Sequence, residues 1–293
     1  MTGDSAAIRR SRNNLVQPLR AGTVSVQFRA EYSAQLLPVI TPLVADARDE
    51  VAINALRIAG ELGTRKAMDL LDAGLKDKRP SVRTMAALQY ARAFGTARGG
   101  STHLVPAHTN PAIDTILATL TTEQDPLAID AMIGALESAA RIPDPTIHPK
   151  AVDALVTATV RLAQRPAAAN VRVALLSATK SMVDIQGIAG RATNAQQKEF
   201  GGAAGEVVAR VYRVLEAGEV VNPERDELAR LADQANVVYV LASKALGTDV
   251  AGFKLGDAIR AGDDAKYKTD AAGMLDALQQ PPFGFAASRF KTK

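Results

Sequence analysis

Between Asp49 and Gly95 the apolar positions fall at helical spacing twice over. In the first run Val51, Ala55, Ile58, Ala59 and Leu62 make a single stripe, and Gly63 supplies a stop. A second helix follows from Arg65 to Leu75, with Met68, Leu71 and Leu75 turned inward. The turn Asp77-Lys78-Arg79-Pro80-Ser81 then leads into a further stripe of Val82, Met85, Ala86, Tyr90 and Phe94 that closes at Gly95. Pro80 suits the first turn of that helix, where its missing N–H leaves nothing unpaired. The two runs match residue by residue: Ala55-Leu56, Ala59 and Gly63-Thr64 return 32 residues later as Ala87-Leu88, Ala91 and Gly95-Thr96. Leu56 and Leu88 are therefore expected to share a buried register.

The pattern continues with drift. DPLAIDAMIGA from Asp125 repeats DEVAINALRIA from Asp49, and Ile129, Met132, Ile133, Leu136 and Ala140 form its buried stripe. Its partner helix carries Val152, Leu155, Val156, Thr159 and Val160, and a fourth copy opens at Val171-Arg172 as the second does at Val82-Arg83. The last strong helix runs from about Pro223 to Leu246, with acids in its first turn. A self-match at this spacing marks a solenoid of helix pairs, each burying its apolar face against its neighbours.

Other stretches are less regular. A short N-terminal helix with Ile8, Leu15, Val16 and Leu19 on one face caps the array, and Pro38 and Pro42 are expected to kink or split the segment Val24 to Asp46. Residues 95–110 and 186–202 read as long loops. Beyond Gly247 the pattern weakens to an irregular tail, either flexible or docked through Phe283, Phe285 and Phe290. The expected division is thus 1–246 for the helical array and 247–293 for the tail.

The Val-Arg opening, the small residues through the first helix and the Leu-Gly or Phe-Gly stop together resemble the HEAT repeat family. The resemblance implies an all-α, right-handed α-solenoid of antiparallel helix pairs, with about four to five repeats and irregular loops. It also implies that the second helix of each pair lines a concave surface, and that the opening arginines, Arg83 and Arg172, tie to acids in neighbouring turns. Asp77 and Asp125 stand at the preceding turns as partners.

Composition agrees with close helix packing. Aromatic residues are only 4% and Trp is absent, whereas alanine supplies much of the apolar share. The net charge is +4 from 35 basic and 31 acidic residues, too mild an excess to define a nucleic-acid protein unless gathered in one stripe. Cysteine is absent, which removes disulfides, thiolate metal sites and cysteine nucleophiles. MTGDSAAIRRSRNN lacks the apolar core of a secretory signal, and the longest apolar run, around Val237 to Ala242, is far short of a membrane span. A soluble, cytoplasmic protein is expected.

No residue constellation points to chemistry. His103 and His108 lack the third ligand a zinc site needs, and with His148 they read as solvated loop histidines. GTARGG and EFGGAAGE lack the Lys of a phosphate-binding loop and follow no predicted strand. The expectation is therefore a non-catalytic scaffold without cofactor or metal that binds a protein partner. The candidate contact residues are Lys76, Lys78, Arg79, Arg161, Arg165, Arg210 and Arg213 on or beside the second helices, and Phe283, Phe285 and Phe290 in the tail. A nucleic-acid-binding solenoid is the runner-up. The resemblance also extends to bilin lyases and to HEAT-like DNA glycosylases, but no lyase motif is present and a glycosylase groove would want aromatic residues this chain lacks.

Overall fold

The computed structural model describes residues 5–20, 24–100, 104–188, 192–218, 220 and 223–290, and the fold is all-α, with no strand among them. In chain order the helices are α1 (Ser5–Val16, followed by a 3₁₀ turn Gln17–Leu19), α2 (Val26–Val44), α3 (Asp49–Leu62), α4 (Arg65–Leu75), α5 (Pro80–Arg98), α6 (Pro106–Thr122) and α7 (Pro126–Ala140). They continue as α8 (Ile147–Ala163), α9 (Arg172–Gln186), α10 (Asn194–Glu216), α11 (Glu224–Ala245), α12 (Leu255–Arg260) and α13 (Asp264–Gln279). No helix is long and apolar enough to cross a membrane, among the described residues. The chain forms two compact units, Met1–Ala154 and Leu155–Lys293, with the boundary inside α8 rather than at the expected 246/247. Residues 255–279 are not an irregular tail: they fold as α12 and α13, which pack on α11 and α10.

In the first unit the helices sort into two rows. α3 packs on α1 and α5, and α5 on α7, while α2 packs on α4 and α4 on α6. The first row is lined with alanine, and Ala52, Ala59, Ala86, Ala87, Ala93, Ala128, Ala135 and Ala139 are all fully buried. Small side chains let axes approach, and the larger Leu56, Leu62, Tyr90, Phe94 and Met132 fill what remains. Helices α3 and α5 are each anchored at the start by an acid in the preceding turn. Asp46 accepts the N–H of Arg48 at 2.8 Å and pairs with its guanidinium, and Asp77 does the same for Arg79. Arg79 then donates to the carbonyl of Asp46 at 2.8 Å, tying one turn to the next.

Several expectations change. The partner of Arg83 is neither Asp77 nor Asp125 through their side chains; it is Glu123, held by two bonds of 2.5 and 2.8 Å, while Asp125 caps α7 through the N–H groups of Leu127 and Ala128. Arg172 likewise pairs with Glu224 and Glu227 of α11. α2 runs unbroken through Pro38 and Pro42, because both lie on its exposed face, where the carbonyls they leave unbonded meet solvent. Gly63 does close α3 in a left-handed conformation (φ 56°), but Gly95 stays helical and α5 continues to Arg98. With α5 ending at Arg98 and α6 starting at Pro106, much of the stretch expected as the first long loop is helix.

The second unit holds a larger departure. α10 begins at Asn194 behind a capping box of Thr193 and Gln196, so EFGGAAGE is buried helix rather than loop. Three mid-helix glycines cost about 1 kcal/mol each relative to alanine. Their use is close approach: a Cβ at Gly201, Gly202 or Gly205 would overlap Phe283, Arg289 or Phe290 respectively. Phe283 and Phe290 are buried against this smooth face, and Phe285 bridges them with ring centroids at 6.3 and 6.0 Å.

Leu56 is fully buried, whereas its repeat counterpart Leu88 is 46% exposed. Leu56→Asp should lower stability by about 3 kcal/mol or more, since it places an unpaired charge in the core. Leu88→Asp should change it by less than about 0.5 kcal/mol. Thermal or denaturant melts of the two variants separate these outcomes, and equal losses would contradict the observed register.

Candidate functional site

The residues that gather open charge lie on row one of the first unit. A cleft of about 470 Å³ is lined by Arg12 and Val16 of α1, Arg20 after the 3₁₀ turn, Arg57 and Glu61 of α3, and Leu88, Gln89 and Arg92 of α5. Helical spacing builds it: Arg57 and Glu61 are four apart on one face of α3, as Leu88 and Arg92 are on α5. Glu61 sits at the centre. Its two carboxylate oxygens accept from Arg20 at 2.7 Å and Arg92 at 3.0 Å, so one side chain ties three elements together.

The charges do not balance, since four guanidiniums face one carboxylate. Arg12 bonds only neutral oxygens, the side-chain carbonyls of Asn54 at 3.0 Å and Asn13 at 2.8 Å. Burial, together with Arg57, Arg20 and Arg9 nearby, holds the Arg12 guanidinium below its ordinary value. Arg57 has no ion-pair or hydrogen-bond partner among the described residues. Burial pushes the Glu61 carboxyl up, and Arg20 and Arg92 outweigh it, holding Glu61 below the usual glutamate range. The half-exposed Leu88 adds an apolar wall. The cleft can therefore receive an anionic group and an apolar one side by side.

The residues singled out from sequence are mostly engaged elsewhere. Arg79 belongs to the turn described above. Arg210 is 1% exposed and donates to the carbonyls of Arg165 (2.7 Å), Pro166 (3.2 Å), Ala167 (3.3 Å) and Ala169 (2.8 Å), strapping the turn between α8 and α9. Burial, then repulsion from Arg213, Arg172 and Arg165, brings its guanidinium down to about 10. Arg213 donates to the carbonyl of Ala163 at 2.7 Å, and it lines a second cleft of about 410 Å³ with Arg165, Glu206 and Arg289. Lys76 and Lys78 are exposed beyond the end of α4, and Arg161 is exposed on α8. Phe283, Phe285 and Phe290 serve internal packing on α10, with Arg289 stacked 4.1 Å from the Phe285 ring and paired with Glu199 at 2.8 Å. His103 lies outside the described residues. His108 is in α6, and His148 is not solvated: it is buried at the start of α8, its Nδ1 2.5 Å from the carbonyl of Ala140.

The basic residues that stand out in sequence are on or beside the second helices, whereas Arg12, Arg20, Arg57 and Arg92, which gather in the cleft, lie on row one. A signal existed in the RRSR run of α1 and in the four-residue spacings of α3 and α5. What periodicity could not supply was the juxtaposition of α1 with α3 and α5.

Because the folded Glu61 carboxyl lies below its ordinary value of 4.5, its pairing stabilises the protein fully above that pH and is lost as pH falls through the depressed value. Wild type should exceed Glu61→Gln by about 1 kcal/mol near neutrality, a modest figure because both arginines are more than half exposed. The difference should close at acid pH. Urea melts of both proteins across that range measure it; a constant gap would show that Glu61 is not ionised in the pair.

No family model matches the chain, and no curated protein matches it. Among solved structures, the crystal structure of an engineered protein aligns at 13% identity over 99% of this chain and 95% of that one, with a TM-score of 0.24. At that score the likeness carries no argument about fold or function.

Proposed function

We propose that this chain is a non-catalytic binding scaffold, a HEAT-like α-solenoid of about four to five helix pairs that takes an acidic segment of a protein partner into the α1–α3–α5 cleft. Two-row packing in the first unit and the recurrent acid-capped turns support the repeat reading. The observation that carries the binding reading is Arg57: a guanidinium left without a partner beside three others, on a surface with a single carboxylate. Arginine forks suit carboxylates geometrically, and an unpaired guanidinium has donors free for an incoming anion.

Leu88 favours peptide over nucleic acid. It supplies an exposed apolar contact in the same cleft as the arginines, which an acidic segment with an interspersed apolar residue would use. A nucleic-acid reader would instead want the charge extended into a stripe along the phosphate backbone, and Glu61 interrupts any such stripe here. Nucleic acid remains the second reading because the arginines alone would attract phosphate.

The test is fluorescence anisotropy at low ionic strength with three labelled probes: a peptide of alternating Glu and Leu, its Gln-substituted counterpart, and a single-stranded oligonucleotide. The acidic peptide should bind and the neutral one should not. Arg57→Glu should weaken binding about tenfold or more, and Glu61→Gln should strengthen it, as expected for changes of local charge. Binding of the oligonucleotide alone would favour the second reading, and binding of neither would overturn both.

A further inference from the structure

A different pocket, of about 280 Å³, lies on row two between α2 and the start of α4. It is lined by Val26, Arg29, Ala30, Ser33, Ala34 and Leu37 of α2, by Thr64, Arg65 and Lys66 at the start of α4, and by His108 of α6. Three independent features of it favour an anion. First, the α4 N-terminus is uncapped. Thr64 occupies the N-cap position, yet its hydroxyl is 2.7 Å from that of Ser33 and bonds no N–H of the helix. That leaves the first N–H groups and the positive end of the helix dipole facing the pocket's side of α4. Second, the first turn carries Arg65 and Lys66 and no acid, the reverse of what a helix start favours on its own. Lys66 has no partner among the described residues, and Arg65 pairs with Asp69 on the exposed surface.

Third, Arg29 is only 4% exposed and hydrogen-bonds no carboxylate; the acid whose charge reaches it, Glu61, is already paired with Arg20 and Arg92. Its terminal nitrogens donate to neutral carbonyls, those of Glu61, Leu62 (3.4 Å) and Leu19 (3.3 Å), and its Nε has no acceptor at all. His108 Nδ1 is likewise buried and unpaired. A buried cation hydrogen-bonded only to carbonyls, with a donor to spare and a counter-charge it must share, gains from a further anion. The opposite wall is apolar and open, since Ala30 and Ala34 are exposed at its rim and Leu37 is buried at its floor. The pocket is at the small end of the range for small-molecule sites.

We propose that this pocket binds a small organic acid, with its carboxylate held at the α4 N-terminus beside Arg29 and Lys66 and its apolar body lying along Val26, Ala30, Ala34 and Leu37. The site is separate from the α1–α3–α5 cleft and stands whether or not that cleft binds a peptide.

Isothermal titration calorimetry of the full chain with octanoate, 1-octanol and inorganic phosphate tests it. Octanoate should bind with one site per chain, and octanol and phosphate should each bind at least about tenfold more weakly, because each supplies half of the recognition. Lys66→Glu should weaken octanoate about tenfold by reversing the charge at the helix start. Ala34→Phe, at an exposed position that leaves the core intact, should abolish binding by filling the pocket, and an unchanged melting temperature would show that the variant is folded. Octanoate binding that is absent, matched by octanol, matched by phosphate, or unaltered in both variants would overturn the proposal.

Discussion

Glu61 is the constraint on which the basic cleft of the first unit depends. Its carboxylate is mostly buried at 12% exposure and bridges Arg20 and Arg92, which come from different helical elements. Without it, Arg20 and Arg92 would lose their partner among four mutually repelling guanidiniums. With it, two arginines are fixed in place while Arg12 and Arg57 remain in excess. The same side chain therefore stabilises the helix row and leaves it short of negative charge. A structural ion pair and the surface proposed for recognition thus share one residue.

The comparison with Arg210 makes the distinction physical. Arg210 is more deeply buried than any of the cleft arginines, but its guanidinium is occupied by four backbone carbonyls of the turn between α8 and α9. Its lowered affinity for the proton reflects burial and like-charged neighbours, and both of its terminal nitrogens are spent on backbone carbonyls. Arg83 and Arg79 are likewise committed, to Glu123 and Asp77. Basic residues in this fold divide into those that hold turns together and those that are left over. The proposed recognition draws on the second group.

Much of the fold was legible in the chain because its signals are local. Helix spacing located α3, α4, α7 and α11 to within about two residues, and the stripe at Ile129, Met132, Ile133, Leu136 and Ala140 is buried throughout. The errors came where long-range contacts decide. Leu88 repeats Leu56 in sequence but faces the arginine cleft, since the match over 32 residues does not carry the neighbours that surround each copy. Gly201, Gly202 and Gly205 read as a loop because glycine disfavours helix; only the arrival of Phe283, Arg289 and Phe290 from some 80 residues onward explains them. The cleft arginines were missed for the same reason. Their number and spacing were visible, but their convergence is a property of helix packing.

The central claim is that the unpaired arginines of row one form the receiving surface. The most direct measurement is the perturbation of arginine Nε–Hε resonances during titration with an acidic peptide, which reads each guanidinium separately. The account predicts that the largest changes fall on Arg57 and Arg12, with smaller ones on Arg20 and Arg92 and none on Arg210. Changes centred on Arg165 and Arg213, or spread evenly over all exposed arginines, would contradict it.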